Sequence, residues 1–144
     1  MTLPVDLLRN TFTHVVSREP ELTTRFYEEL FTRYPEARAL FPAARRPMQA
    51  KMLAEALGAV LDHLEDPSWL SSTLTAMGAR HVRYGVQDAM YDWVGECLLV
   101  TLERAAGDAW TAEAAKAWAD AYGVIAGAML AGAAEARAAA DAAE

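Results

Sequence analysis

Cysteine and histidine are scarce in this chain. Its 144 residues include one cysteine, Cys97, and three histidines, His14, His63 and His81. A single cysteine excludes an intramolecular disulfide and is typical of a protein in a reducing compartment, so we expect a cytoplasmic protein. The scattered histidines, with no second cysteine, also argue against a structural zinc cage, because such a site needs four closely spaced nitrogen or sulfur ligands.

The chain also lacks a long uninterrupted apolar run. The longest weakly polar stretch, residues 124–134, is about half of the ~20 residues that a membrane span requires. The first ten residues show neither the basic start nor the apolar segment of a secretion signal. We therefore expect no membrane partner.

Basic residues are fewer than acidic residues in this chain. The chain carries 13 lysines and arginines against 20 acidic residues, a net charge of −7. Nucleic-acid binding depends on a dense basic patch, and the local group Arg45, Arg46 and Lys51 is too small to provide one, so no nucleic-acid partner is expected. The hydrophobic content of 53% is typical of a packed globule. The length fits one domain over residues 1–144.

What the chain has in abundance is helical pattern. Strand-like alternation is absent and β-branched residues do not cluster, so we predict an all-α fold. Asp66 before Pro67 predicts a capped helix start, Gly85 a helix stop, and Thr111 the cap of a last, long helix. The alanine-rich end, about residues 136–144, has little to bury and is expected to fray.

One histidine stands on an apolar helix face. Leu70, Leu74 and Met77 precede His81 at intervals of four, three and four residues, the spacing of one buried face. An imidazole in such a place either satisfies itself through a hydrogen bond to a backbone carbonyl or ligates a metal through its lone pair. The spacing alone leaves both interpretations open.

Tyr27 and Gln49 are two further polar side chains on inward helix faces. An unpaired buried polar group costs about 1–3 kcal/mol. Polar groups from three helices therefore predict a cavity with polar contents. A direct hydrogen bond between Tyr27 and Gln49, or a position at the rim, would explain the same pattern.

The order of these motifs resembles the globin family, in particular single-domain bacterial haemoglobins and the globin domain of flavohaemoglobins. The similar segments are TTRFYEELFTRYPEARALF at 23–41, QAK at 49–51, RHVRYGV at 80–86, Tyr91 with Val94-Gly95, and AWADAYGVI at 117–125. The resemblance covers essentially the whole chain and implies the globin fold, a helical sandwich around a haem pocket.

The resemblance also implies a cofactor and its ligands. The cofactor would be haem b, with its iron held by His81, and Tyr27 and Gln49 would lie on the opposite side of the haem. Arg80 is implied to contact a propionate, although a solvated surface arginine would fit its position equally. The side chains implied to contact the haem are Phe41, Leu53, Leu57, Arg80, Val86, Val94 and Met129.

The function implied is reversible binding of dioxygen, or of other diatomic gases, at a five-coordinate ferrous iron. The Tyr27 hydroxyl and the Gln49 amide would both donate hydrogen bonds to the bound oxygen. Tyr91 matches a family tyrosine that supports the proximal histidine, but the glutamate that accompanies it is replaced here by Ala133. Glu135 lies about 200° round a regular helix from Ala133 and does not substitute for it.

Two other functions would use the same residues. One is nitric oxide dioxygenation, which would need an external reductase because the sequence contains no flavin or nicotinamide domain. The other is gas sensing. Whether the chain is an enzyme therefore stays open at this point, as does the choice between a monomer and a homodimer.

Overall fold

The computed structural model describes residues 3–143; Met1, Thr2 and Glu144 of the predicted domain 1–144 lie outside that range. The six α-helices are α1 (Val5–Arg18), α2 (Leu22–Arg33), α3 (Arg46–Asp62), α4 (Pro67–Arg83), α5 (Ala89–Ala106) and α6 (Ala112–Ala142). Short 3-10 helices cover Pro35–Leu40, Ala43–Arg45 and Gly107–Ala109. Residues 3–143 contain no strand, and the predicted all-α fold is confirmed.

Local chemistry sets both ends of α4. The Asp66 carboxylate accepts a hydrogen bond from the Trp69 backbone N–H at 3.2 Å, and Pro67 occupies the first helical position, as predicted. Gly85 follows the helix with φ of 89°, a left-handed conformation that a side chain would strain. These two signals place His81 in the last turn of α4.

The break between α5 and α6 also follows the sequence signals. Gly107 ends α5 with φ of 58°. The Thr111 hydroxyl then accepts a hydrogen bond from the Ala114 backbone N–H at 3.0 Å and so caps α6. A capped start and an alanine-rich composition allow α6 to run for 31 residues.

The buried residues form two apolar clusters. The first, centred on α1, α2 and α5, includes the fully buried Leu8, Leu30 and Leu102. The second consists of Val60, Leu74, Tyr91 and Met129, with Leu70 and Met77 packed against it. The three α4 side chains named here, Leu70, Leu74 and Met77, all belong to the second cluster. The predicted apolar stripe of α4 therefore packs on the α6 side of the molecule.

Two glycines bring α4 and α6 into backbone contact. A Cβ atom at Gly78 would lie 1.9 Å from the carbonyl oxygen of Met129, and one at Gly132 would lie 1.9 Å from that of Thr75. Helix α3 packs instead on α1 and α2, and no comparably close packing joins α3 to α4 among the described residues. The backbone of the helix that carries His81 is thus fixed to α6, whereas its contact with α3 is between side chains such as Leu74 and Val60.

Alanine substitutions should change the free energy of unfolding in opposite directions at these two glycines and at two other glycines of α6. Gly78→Ala and Gly132→Ala are each expected to lower the free energy of unfolding by about 1–3 kcal/mol, because a backbone must move to admit the methyl group. At Gly123 and Gly127, an added methyl group would meet no atom within 4 Å. Their alanine variants should gain roughly 0.5–1 kcal/mol from helix propensity. Urea unfolding measures all four, and equal effects at all four would contradict the close packing.

Helix α6 is, among the described helices, the one that is long and apolar enough to cross a membrane by length and composition. The core helix of a soluble domain passes the same test. Here α6 makes its closest contacts with α4, through Gly78 and Gly132. The absence of a membrane partner stays a prediction.

Candidate functional site

His81 is half-buried, and one of its ring nitrogens is fixed. Its Nδ1 lies 2.7 Å from the carbonyl oxygen of Met77. A carbonyl oxygen only accepts, so Nδ1 carries the proton and Nε2 keeps its lone pair. Burial lowers the pKa of His81 and the charge of Arg80 lowers it further, against the opposing effect of the Met77 hydrogen bond. His81 therefore presents a neutral, oriented imidazole.

The hydrogen bond to Met77 is also the one that a core histidine would form. It satisfies Nδ1 alone, and no hydrogen-bond partner of Nε2 is found among residues 3–143. The same residues contain no group of three or more histidine, cysteine or acidic side chains that would hold a metal ion. A metal bound by His81 would need its remaining ligands from a cofactor.

Tyr27, on α2, offers a hydroxyl without a partner. Its ring packs against those of Phe41 and Phe26, at centroid distances of 5.1 and 5.0 Å. No hydrogen bond to its hydroxyl is found in the described part of the chain, and Gln49, half-buried on α3, is not bonded to it. Burial raises the pKa of Tyr27 to about 12. The hydroxyl is therefore protonated at neutral pH and available as a donor.

Phe41 is held in place by Arg46. The Arg46 Nε donates to the Phe41 carbonyl oxygen at 2.9 Å, and the guanidinium lies 4.6 Å from the centroid of the Phe31 ring. These contacts tie the start of α3 to the preceding turn. Sequence reasoning missed this role, because a contact inside an irregular turn leaves no periodic signal.

The remaining predicted lining residues divide between the two apolar clusters. Leu57 is buried in the first cluster, and Phe41, Leu53 and Val94 pack against it; Met129 is buried in the second, and Val86 packs against it. Arg80 is exposed. Part of the predicted set therefore lies in the cluster against which Tyr27 packs, and the rest in the cluster that contains Leu74 of α4. Its contacts with a cofactor stay predictions.

Tyr91 is buried, and its hydroxyl has no hydrogen-bond partner among the described residues. Burial raises the pKa of Tyr91. Ala133, at the position where the resemblance implies a glutamate, is 1% exposed. Glu135 lines an outer groove between α4 and α6, as its place on the helix predicts. His81 Nδ1–H donates its hydrogen bond to the Met77 carbonyl oxygen, and the predicted support of His81 by Tyr91 stays a prediction.

These features define a class of protein: a small all-α domain with one oriented imidazole whose lone pair is available to a metal. A neutral imidazole with a free lone pair, a half-buried hydroxyl without a hydrogen-bond partner among residues 3–143, and two apolar clusters fit a mainly apolar, metal-containing group.

The globin family model matches residues 24–129, and the chain belongs to the globin family. It is 34% identical over 123 residues to the flavohemoprotein of Rhizobium meliloti (strain 1021). That match covers 84% of this chain and 30% of the relative, so the chain spans about 30% of the relative's length. The predicted resemblance to bacterial haemoglobins and flavohaemoglobins is confirmed.

Solved structures give the same result. An engineered carbene transferase from Rhodothermus marinus, described as a candidate nitric oxide dioxygenase, is 31% identical with a TM-score of 0.79, and the match covers 97% of this chain and 96% of that one. A bacterial globin from Campylobacter jejuni is 26% identical with a TM-score of 0.78, covering 91% of this chain and 94% of that one. The predicted globin fold is confirmed.

Proposed function

We propose that this chain is a haem protein that binds dioxygen reversibly. Haem is the cofactor that membership of the globin family and similarity to flavohemoproteins support. When bound, its ferrous iron supplies an open coordination position for a diatomic gas. One observation carries the proposal: His81 has a free Nε2 lone pair, and the half-buried Tyr27, on a different helix, has a hydroxyl with no hydrogen-bond partner among residues 3–143.

The chain's own residues divide the work of holding the cofactor. His81 Nε2 would ligate the metal, while the hydrogen bond from Nδ1 to the Met77 carbonyl fixes the ring and its tautomer. Arg80, exposed beside it, provides a cation for a propionate. The side chains that would pack on the haem belong to the two apolar clusters; they are Phe41, Leu53, Leu57, Val86, Val94 and Met129.

Tyr27 selects for a ligand with partial negative charge. Its hydroxyl is protonated and has no acceptor within the described protein, so it is available to donate a hydrogen bond to a bound gas. Apolar and aromatic neighbours strengthen such a hydrogen bond, because they exclude water. Gln49, half-buried on α3, provides a second donor.

The surroundings of His81 favour storage or delivery over redox turnover. Its Nδ1 proton is accepted by a neutral carbonyl. A carboxylate acceptor would raise the electron donation of the imidazole to the metal, and Ala133 offers none. The chain is therefore suited to hold a gas in the ferrous state.

Oxygen titration of the haem-loaded, reduced protein tests the proposal. The absorption spectrum should change on adding dioxygen and return to that of the reduced protein when dioxygen is removed under vacuum or argon. Immediate conversion to the ferric form, without a reversible phase, would contradict oxygen carriage.

Nitric oxide dioxygenation is the second candidate, and similarity to flavohemoproteins favours it. Mixing the oxygenated protein with nitric oxide should then give nitrate and ferric haem in equal amounts. Repeated turnover at a rate set by an added reductase would assign the catalytic function. Slow, single-turnover oxidation would leave oxygen binding as the function.

A further inference from the structure

The basic residues of this acidic chain are concentrated in two stretches. Residues 37–54 contain Arg38, Arg45, Arg46 and Lys51 and no acidic residue; residues 67–87 contain Arg80 and Arg83 and again no acidic residue. The rest of the chain carries the other seven basic residues and all 20 acidic ones. A net charge of −7 therefore conceals two positive segments.

The fold brings these two stretches together. A Cβ atom at Gly85, just after α4, would lie 3.4 Å from the Leu40 side chain, so the end of α4 contacts the end of the 3-10 helix Pro35–Leu40. The next residue, Phe41, accepts the hydrogen bond from Arg46 at the start of α3. The positive end of α4 thus adjoins the positive start of α3, beside the proposed haem site.

Five of the six cations of this surface pair with no carboxylate. No ion pair within residues 3–143 involves Arg38, Arg45, Arg46, Arg80 or Arg83. The sixth cation, Lys51, forms a long ion pair with Glu55 at 4.0 Å. Six of the seven other basic side chains are paired with a carboxylate, as in Arg9–Glu65 at 2.9 Å and Arg104–Glu29 at 2.6 Å. The seventh, Arg18, donates to the Ala106 carbonyl oxygen. Unpaired cations keep their full attraction for an external anion.

Apolar side chains lie among these cations. Met48 is 59% exposed, Met52 54% and Tyr84 60%, and each is close in sequence to one of these cations. Small, transient protein interfaces combine exposed apolar contacts with a charged rim. Haem has only two propionates to pair, fewer than the six cations present. The four cations in excess of the two propionates indicate a macromolecular partner.

We infer that this surface, defined by Arg38, Arg45, Arg46, Lys51, Arg80 and Arg83 with Met48, Met52 and Tyr84, docks an acidic one-electron-donor protein. The inference rests on the proposed function, since a ferric haem must be reduced before it binds dioxygen again. One electron leaves the reduced group of the donor and converts ferric iron to ferrous iron, and no bond forms or breaks. Positive charge around the site steers an acidic donor there.

Stopped-flow reduction by flavodoxin hydroquinone, a small acidic flavoprotein, tests the surface in the haem-loaded ferric protein. The second-order rate constant should fall at least about tenfold between about 0.02 M and about 0.5 M salt. Arg45→Glu and Arg83→Glu should each lower the low-salt rate about three- to tenfold. Lys116→Glu, which makes the same charge change on α6, should stay within about twofold. Line broadening of ¹⁵N-labelled flavodoxin in NMR reports docking without any electron transfer.

Three results would overturn the inference. The first is a second-order rate constant and an NMR line broadening that do not change with salt concentration, or that Lys116→Glu lowers as much as Arg45→Glu does. The second is an Arg45-dependent affinity for phosphatidylglycerol vesicles, or for a DNA oligonucleotide, greater than that for flavodoxin, which would assign the surface to a membrane or a nucleic acid. The third is a protein that takes up no haem; this contradicts the proposed function as well, and the spectrum reveals it before any donor is added.

Discussion

Replacing His81 with glycine should abolish retention of haem while the helical fold persists. The imidazole is the one proposed protein ligand to the metal, and its loss removes both the coordinate bond and the Nδ1–Met77 anchor. The loss of affinity should exceed the roughly 10–100-fold that follows removal of a residue that only supports a metal ligand. Haem transfer to apomyoglobin, followed by absorption, measures the loss, and circular dichroism checks the fold.

Free imidazole provides a sharper form of this test. Added to the His81→Gly variant, it should enter the vacated volume and restore haem binding, because the missing atoms are then supplied as a separate molecule. His14→Ala, at an exposed position on α1, is the matched control and should bind haem like the parent chain. Normal haem retention by His81→Gly without imidazole would mean that another side chain is the ligand.

Tyr27→Phe should raise the rate of dioxygen dissociation by about 10–100-fold. The substitution removes a protonated donor and retains the ring that packs on Phe41. A hydrogen bond to a charged or partly charged acceptor contributes about 1.5–3 kcal/mol, and the dissociation rate reports that loss. Carbon monoxide carries less negative charge than bound dioxygen and should be affected much less. Flash photolysis and stopped-flow displacement measure the two gases.

Tyr34→Phe is the control for the Tyr27 variant. The Tyr34 hydroxyl donates to the Glu96 carboxylate at the surface, and its ring stacks on Trp93 rather than on Phe41. Its removal should leave both gas dissociation rates unchanged. Equal dioxygen dissociation from the Tyr27→Phe variant and the parent chain would assign ligand stabilisation to Gln49 or to water.

The helical framework could be predicted because its signals are local. A carboxylate before a proline marked the start of α4, and a glycine with positive φ marked its end. The face containing Leu74 and His81 followed from spacing within one helix. Periodicity assigned His81 to an inward face, but only the resemblance to globins assigned it a metal.

Contacts between distant segments could not be predicted in the same way. Arg33 pairs with Glu96 at 2.7 Å, and the stacked rings of Tyr34 and Trp93 lie 4.7 Å apart, but neither pair has a spacing that a single helix would reveal. The tautomer of His81 likewise depends on the carbonyl of Met77, which sequence does not orient. Tertiary packing sets these features, so they required the structure.

The positive surface is an intermediate case. Its signal, two stretches without acidic residues, is visible in the sequence. A count of net charge conceals it, and a search for adjacent basic residues finds only Arg45, Arg46 and Lys51. The contact of Gly85 with Leu40 adds Arg83 to the group. Charge distribution along a chain is therefore more informative than its sum.

Titration of the purified apoprotein with haem tests the central claim most directly. We predict uptake of one equivalent, followed after reduction by the absorption spectrum of a five-coordinate ferrous haem that changes reversibly with dioxygen. A protein that takes up no haem, or whose reduced iron is six-coordinate and unresponsive to dioxygen, would contradict haem-based oxygen binding. The first of those results would return His81 to the role of a core histidine bonded to Met77.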